Sequence, residues 1–408
     1  MALLIKSRMK FRAQKMPTRL QLNLKIQSVQ SIKVTIFSEL KRLWALEPVT
    51  QVSNTSQVAL EVKLMAVALV SMLLLCTTNS VMSNRRVEHG LKPDFVFDSV
   101  GNSAFKYSKL ETEMLENLAS QDSVAALQNA VDKLKSSYQG KDLHQVLGDR
   151  KYKELEFHNR DRDKKLTASL PKDTYELLHG NKKYYSTTEI SQNYITQWMK
   201  SNLPGKVVLD YACGNGALAV RSANLGAKYT IGIDISDVSV QNAFEEAQRL
   251  GLSDRMSFLQ ADCENTGLPE NSFDVILCSG MLHHLDLSFA FPELRRILKP
   301  GGVILAVEAL DYNPVIKLYR TLTPTMRTDW EKAHILSLKD VNFGSRFFDV
   351  GEVRYFHILS PLSVFANRIP VLSKFVLPLF NWLDTLFTRM PLVQLMSWQF
   401  VFELRKRK

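Results

Sequence analysis

Three acids and two glycines carry the chemistry that is legible in this chain. Asp210 ends the apolar run Val207 to Leu209 and opens the loop Asp210-Tyr-Ala-Cys-Gly214-Asn-Gly216; Asp234 ends Tyr229-Thr-Ile-Gly-Ile; Asp262 follows the run Met256 to Gln260. Gly214 and Gly216 let the backbone approach a bound molecule closely, and a helix start behind them offers unpaired N–H groups. An acid inside that loop repels a pyrophosphate and suits a cationic ammonium group. Asp234, eighteen residues past Gly216, stands where a carboxylate can accept both hydroxyls of a ribose. A second group, Ser279-Gly-Met-Leu-His283-His284-Leu285, offers two imidazoles that titrate near neutral pH and suit general-base work. The plainer alternatives are an ordinary strand-to-helix turn at residue 210 and a histidine that holds its loop.

These residues need strands to place them. Val207 to Leu209, Tyr229 to Asp234, Met256 to Gln260 and Ser272 to Ser279 have the apolar, β-branched composition of buried parallel strands. Between them lie helical stretches, one starting at Ala217 and one from Ser239 to Leu250, the latter stopped by Gly251. Ahead of them Ile190 to Met199 reads as a helix, with Ser186 or Thr187 as its cap. Glu293 to Glu308 reads as a helix, a Pro-Gly-Gly turn and a fifth strand; Val353 to Ile358 and Trp398 to Phe402 read as strands six and seven, an antiparallel edge pair. Alternation of this kind predicts an α/β, Rossmann-like doubly wound sheet, whose ligands bind beyond the carboxyl ends of the strands.

With the Asp210 loop, the acid at Asp234 and the acid at Asp262 in this order, residues 180 to 312 resemble the class I S-adenosylmethionine (SAM) dependent methyltransferases, closest to type 11, which includes quinone and small-lipid enzymes. The family's first motif is Asp/Glu-x-Gly-x-Gly-x-Gly, and Ala212 replaces its first glycine. The resemblance implies a seven-stranded methyltransferase sheet and SAM as cofactor. It implies that Asp210, Ala212, Gly214, Gly216, Asp234, Ile235, Asp262, Cys263 and Ser279 bind the cofactor. Asp234 takes the ribose, Asp262 the adenine amino group, and Cys263 offers its backbone N–H to the ring. Tyr184 or Tyr185 lies over the methionine moiety, and His283 or His284 faces the methyl group as the candidate catalytic base. The implied reaction moves a methyl group to an O, N or C atom of a small acceptor. An NAD-dependent oxidoreductase and a non-catalytic SAM-binding scaffold are the rival readings.

The net charge of +11 resides mostly in a leader: residues 1–63 hold eleven Lys or Arg against three Glu. The charge therefore indicates no nucleic-acid partner. Residues 1–63 read as a basic leader and 58–78 as a candidate membrane anchor or signal-like helix; the run Leu64 to Cys76 is short for a span. Residues 84–180 read as linker and amphipathic helices, with the charged stretch 147–174 solvated. Residues 181–312 read as the SAM-binding core. Residues 313–408 read as an acceptor lid and final strands with an apolar helical insertion, in which Arg320, Arg327 and His334 could meet an anionic acceptor or pair with Asp329 and Glu331. That apolar insertion needs a cover and points to an apolar or lipid-linked acceptor and a membrane surface. Four cysteines at irregular spacing form no zinc motif, so no metal centre is expected, and a reducing compartment suits the catalytic part.

Overall fold

In the computed structural model the residues described are 124–368 and 370–408. The basic leader, the 58–78 segment and residues 84–123 lie outside them. Seven strands form one sheet in the order β3-β2-β1-β4-β5-β7-β6. They are β1 Val207–Tyr211, β2 Tyr229–Asp234, β3 Met256–Gln260, β4 Phe273–Ser279, β5 Leu298–Ala309, β6 Asp349–Phe356 and β7 Gln399–Arg405. The first five run parallel, while β7 pairs antiparallel with both β5 and β6. Chain order reverses beside β1, where β2 lies on one side and β4 on the other, and this is the crevice in which doubly wound sheets bind ligands.

Alternation along the strands fills both faces. Leu209, Tyr211, Ile231, Ile276, Ile304 and Phe402 enter one buried cluster; Val208, Leu277, Val303, Leu305 and Val401 enter the other. Helix α1 (residues 124–134) packs Leu127 and Val131 into the first cluster. The expected amphipathic helix is present there and serves packing. Helices α2 (Leu143–Arg162), α3 (Lys164–Ser169) and α4 (Lys172–His179) follow, then α5 (Glu189–Asn202), which covers the second face with Ile195, Trp198 and Met199. Neither Ser186 nor Thr187 caps α5. Their hydroxyls donate to the carbonyls of Lys183 and Tyr184 inside a 3-10 turn, and Thr188 takes the cap position with its own hydroxyl donating back to the Tyr185 carbonyl instead of accepting a helix N–H.

Helices α6 (Ala217–Asn224) and α7 (Asp237–Arg249) link the first three strands, and α8 (Leu287–Ile297) leads into β5. After β5 come α9 (Pro314–Leu322), α10 (Asp329–Ala333) and α11 (Leu338–Gly344). Between β6 and β7 a 3-10 segment, Ser360–Arg368, precedes α12 (Pro370–Phe387), the expected apolar insertion. Among the described residues no helix is long and apolar enough to cross a membrane.

Candidate functional site

The loop after β1 is built on backbone that side chains resist. Ala212 has φ 57°, and Gly214 and Gly216 have φ 52° and 79°. At Gly216 an added Cβ would come within 2.9 Å of the Ala243 Cβ, so this glycine serves the packing of α6 on α7. Gly214 faces the cavity, and its N–H donates to Asp234 Oδ2 at 2.8 Å. Asp210 turns away. Its buried Oδ2 accepts the N–H of Ala219 at 2.9 Å, which fixes the start of α6. Burial pushes that carboxyl up to about 7, with the Asp234 charge adding to the shift against the Ala219 hydrogen bond.

At the end of β2, Asp234 also accepts the Ser236 N–H through Oδ1 at 2.9 Å. Past β3, Asp262 accepts the Glu264 N–H through Oδ1 and meets Lys151 Nζ at 2.5 Å through Oδ2. The carbonyl of Cys263 accepts the hydroxyl of Tyr211. Glu264 is held by Arg150 at 2.5 Å and by Lys151 at 3.0 Å.

The end of β4 gives Ser279 and the two histidines, and the structure separates them. Glu308, buried at the end of β5, accepts the N–H groups of Met281 and Leu282 and sits 2.7 Å from His283 Nδ1. His283 is thereby held against the strand and does not line the cavity. His284 does, with Nδ1 3.0 Å from Glu154 Oε2. Burial raises the Glu154 carboxyl, but hydrogen bonds from His158, His284 and Thr328 outweigh it and hold the group well below the usual carboxylate range.

One cavity of about 100 Å³ collects these groups. It brings together Ala212, Gly214, Asp234, Ile235, Asp262, Cys263, Ser279 and His284, and leaves Asp210, Gly216 and His283 behind its walls. Its remaining wall is α2, which contributes Arg150, Lys151, Glu154, His158 and Arg162. The expectation that residues 147–174 are solvated is therefore corrected for one face of α2: Arg150, Lys151 and Glu154 find partners in the loops after β3 and β4, while Lys153, Glu156, Lys164 and Lys165 are exposed as expected. The available signal was Glu154 and His158, four apart and so on one face of a helix. Tyr184 and Tyr185 do not line the cavity; they pack against Tyr319 and Trp398. Arg320 and Arg327 lie 3.3 and 3.5 Å from Glu331, and His334 stacks on Trp330.

A methyltransferase domain family matches residues 209–306. These residues are a type 11 methyltransferase domain. The match runs from β1 into β5 and contains every cavity-lining residue outside α2, as expected of a class I SAM-dependent methyltransferase. A sterol 24-C-methyltransferase of Gibberella zeae is 35% identical over 26% of this chain and 28% of its own length. A ribosomal protein L11 methyltransferase of Photobacterium profundum is 26% identical over 40% of this chain and 56% of its own length. The chain thus spans between a quarter and three fifths of these relatives, whose names give a sterol and a protein as acceptors. Among solved structures, a geranyl diphosphate C-methyltransferase from Streptomyces coelicolor A3(2) aligns with 64% of this chain and 98% of its own at 14% identity, with a TM-score of 0.43.

Proposed function

We propose that the chain transfers a methyl group from SAM to an O, N or C atom of a small, apolar or lipid-linked acceptor. The observation that carries this reading is the convergence of Asp234, Asp262 and the Gly214 loop on one cavity at consecutive strand ends. The donor set suits a cofactor with a ribose, an aminopurine and a charged amino-acid end. Asp234 receives the ribose hydroxyls, Asp262 the adenine amino group once Lys151 releases it, and Arg162, beside Gly214, meets the carboxylate of the methionine moiety. SAM supplies a methyl group on a sulfonium, whose transfer is downhill. The chain's residues have to align the acceptor and exclude water. His284 follows Ser279 into the cavity and His283 does not, so of the two histidines it is His284 that handles the acceptor, while His283 positions the loop. The NAD rival shares Asp234 but lacks an account of the type 11 match.

We further propose a membrane surface as the working place, with the catalytic part in a reducing compartment. The support is twofold. Cys213, Cys263 and Cys278 are buried free thiols, and α12 leaves Phe375, Leu379, Trp382 and Leu386 from 51 to 69% exposed.

Calorimetric titration of the full chain with SAM tests the cofactor reading. Micromolar binding is expected, weakened more than about tenfold in Asp234→Ala, the loss of one charge-assisted contact of about 1.5–3 kcal/mol. A folded chain that binds no SAM, or an Asp234→Ala variant that binds equally well, overturns it.

A further inference from the structure

We propose that Glu154, His158 and His284 form a binding site for one first-row divalent transition-metal ion at the acceptor end of the cavity. The inference rests on the functional reading above and names how His284 handles the acceptor. Glu154 and His158, four residues apart on α2, present one face, and His284 arrives from the loop after β4. Glu154 Oε2 lies 3.0 Å from His284 Nδ1 and 3.6 Å from His158 Nε2, and the three atoms all lie within 4.8 Å of one another. Metal–nitrogen and metal–oxygen bonds near 2.1 Å put neighbouring donors of one ion about 3–3.5 Å apart, so small side-chain adjustments suffice.

The carboxylate is already divided as a ligand requires. Thr328 donates to Oε1 and leaves Oε2 toward the two imidazoles, while Arg150 donates to the backbone carbonyl of His284 at 3.1 Å. Outer contacts of this kind orient ligands and fix their geometry. Two imidazoles and one carboxylate favour zinc, iron, cobalt or manganese over magnesium, which prefers all-oxygen surroundings. All three residues line the cavity, so the ion's remaining positions face the acceptor.

An ion there polarises an acceptor hydroxyl. Its proton passes to water, an oxygen electron pair forms the new O–C bond with the methyl carbon, and the C–S pair stays on sulfur, leaving S-adenosylhomocysteine. This narrows the acceptor to one bearing a hydroxyl or phenol.

The test uses the full chain, stripped with chelator and titrated with Co²⁺, reading the visible d–d bands. One equivalent is expected, without the near-ultraviolet thiolate band that a cysteine ligand would give. Zn²⁺ should displace it, and both His158→Ala and Glu154→Gln should weaken it more than about tenfold. Circular dichroism confirms that the variants are folded. A folded chain that binds SAM and shows no cobalt spectrum overturns the metal site and leaves the cofactor reading standing. A spectrum that survives in both variants also overturns the site. Cobalt bound at these residues by a folded chain that takes up no SAM overturns the methyltransferase reading, and with it the role given to the ion.

Discussion

At Ala212 the backbone turns at φ 57°, a conformation that a side chain bearing Cβ adopts at a cost of about 1–2 kcal/mol. A glycine would adopt it freely while losing more freedom on folding. Ala212→Gly is expected to stabilise the chain by up to about 1 kcal/mol, read as a rise in denaturation midpoint. No gain would mean that the loop is strained elsewhere. The acids Asp234 and Asp262 were legible in the sequence because the first ends the apolar run of β2 and the second follows that of β3 by two residues. The direction of the Asp210 carboxylate was not, since spacing says nothing of which neighbour a side chain meets; here it is the Ala219 N–H. Nor could adjacent positions tell His283 from His284. Glu308, from the next strand, takes the first and leaves the second to the cavity.

Elements defined by alternation were equally legible: β2 and β3 have the bounds that their apolar runs suggest. Helix α2 was not, because a run of charges is soluble alone and becomes a cavity wall only when Asp262 and Glu264, in the loop after β3, pair with it. The joint between β6 and the 3-10 segment shows the same dependence on distant partners. His357, at φ 67° and buried, sits 2.8 Å from Ser360 through Nδ1 and 2.8 Å from Ser191 of α5 through Nε2. Burial lowers its pKa from 6.5 to about 4. Between those values the unfolded chain binds the proton and the folded one does not, so stability falls as pH drops from 6.5 to 4 and levels off below. The loss is at most roughly 3 kcal/mol. His357→Gln should be less stable at pH 7, and its denaturation midpoint should fall less from pH 6.5 to 4. An equally steep fall would assign the acid sensitivity to other groups.

On the scale of the whole molecule, α12 projects a stripe of exposed large apolar side chains at positions 375, 379, 382 and 386. Its one acid, Asp384, is buried and accepts the N–H groups of Leu359 and Ser360, so the outer face carries Lys374 and no negative charge. That face suits an anionic lipid surface. The full chain should sediment with phosphatidylserine-containing vesicles and blue-shift its tryptophan emission, and Phe375→Ser with Trp382→Ser should weaken both. Equal sedimentation of the double variant would move the contact away from α12. The placement of β7 between β5 and β6 has a different consequence, during synthesis. The outer edge of β5 finds its partner only when residues 399–405 have been made, since Ala309 pairs with Gln399 and Val303 with Arg405. At about 5–20 residues per second the nascent chain therefore carries an open, apolar strand edge for several seconds, the interval in which strand-to-strand association between neighbouring nascent chains competes with folding.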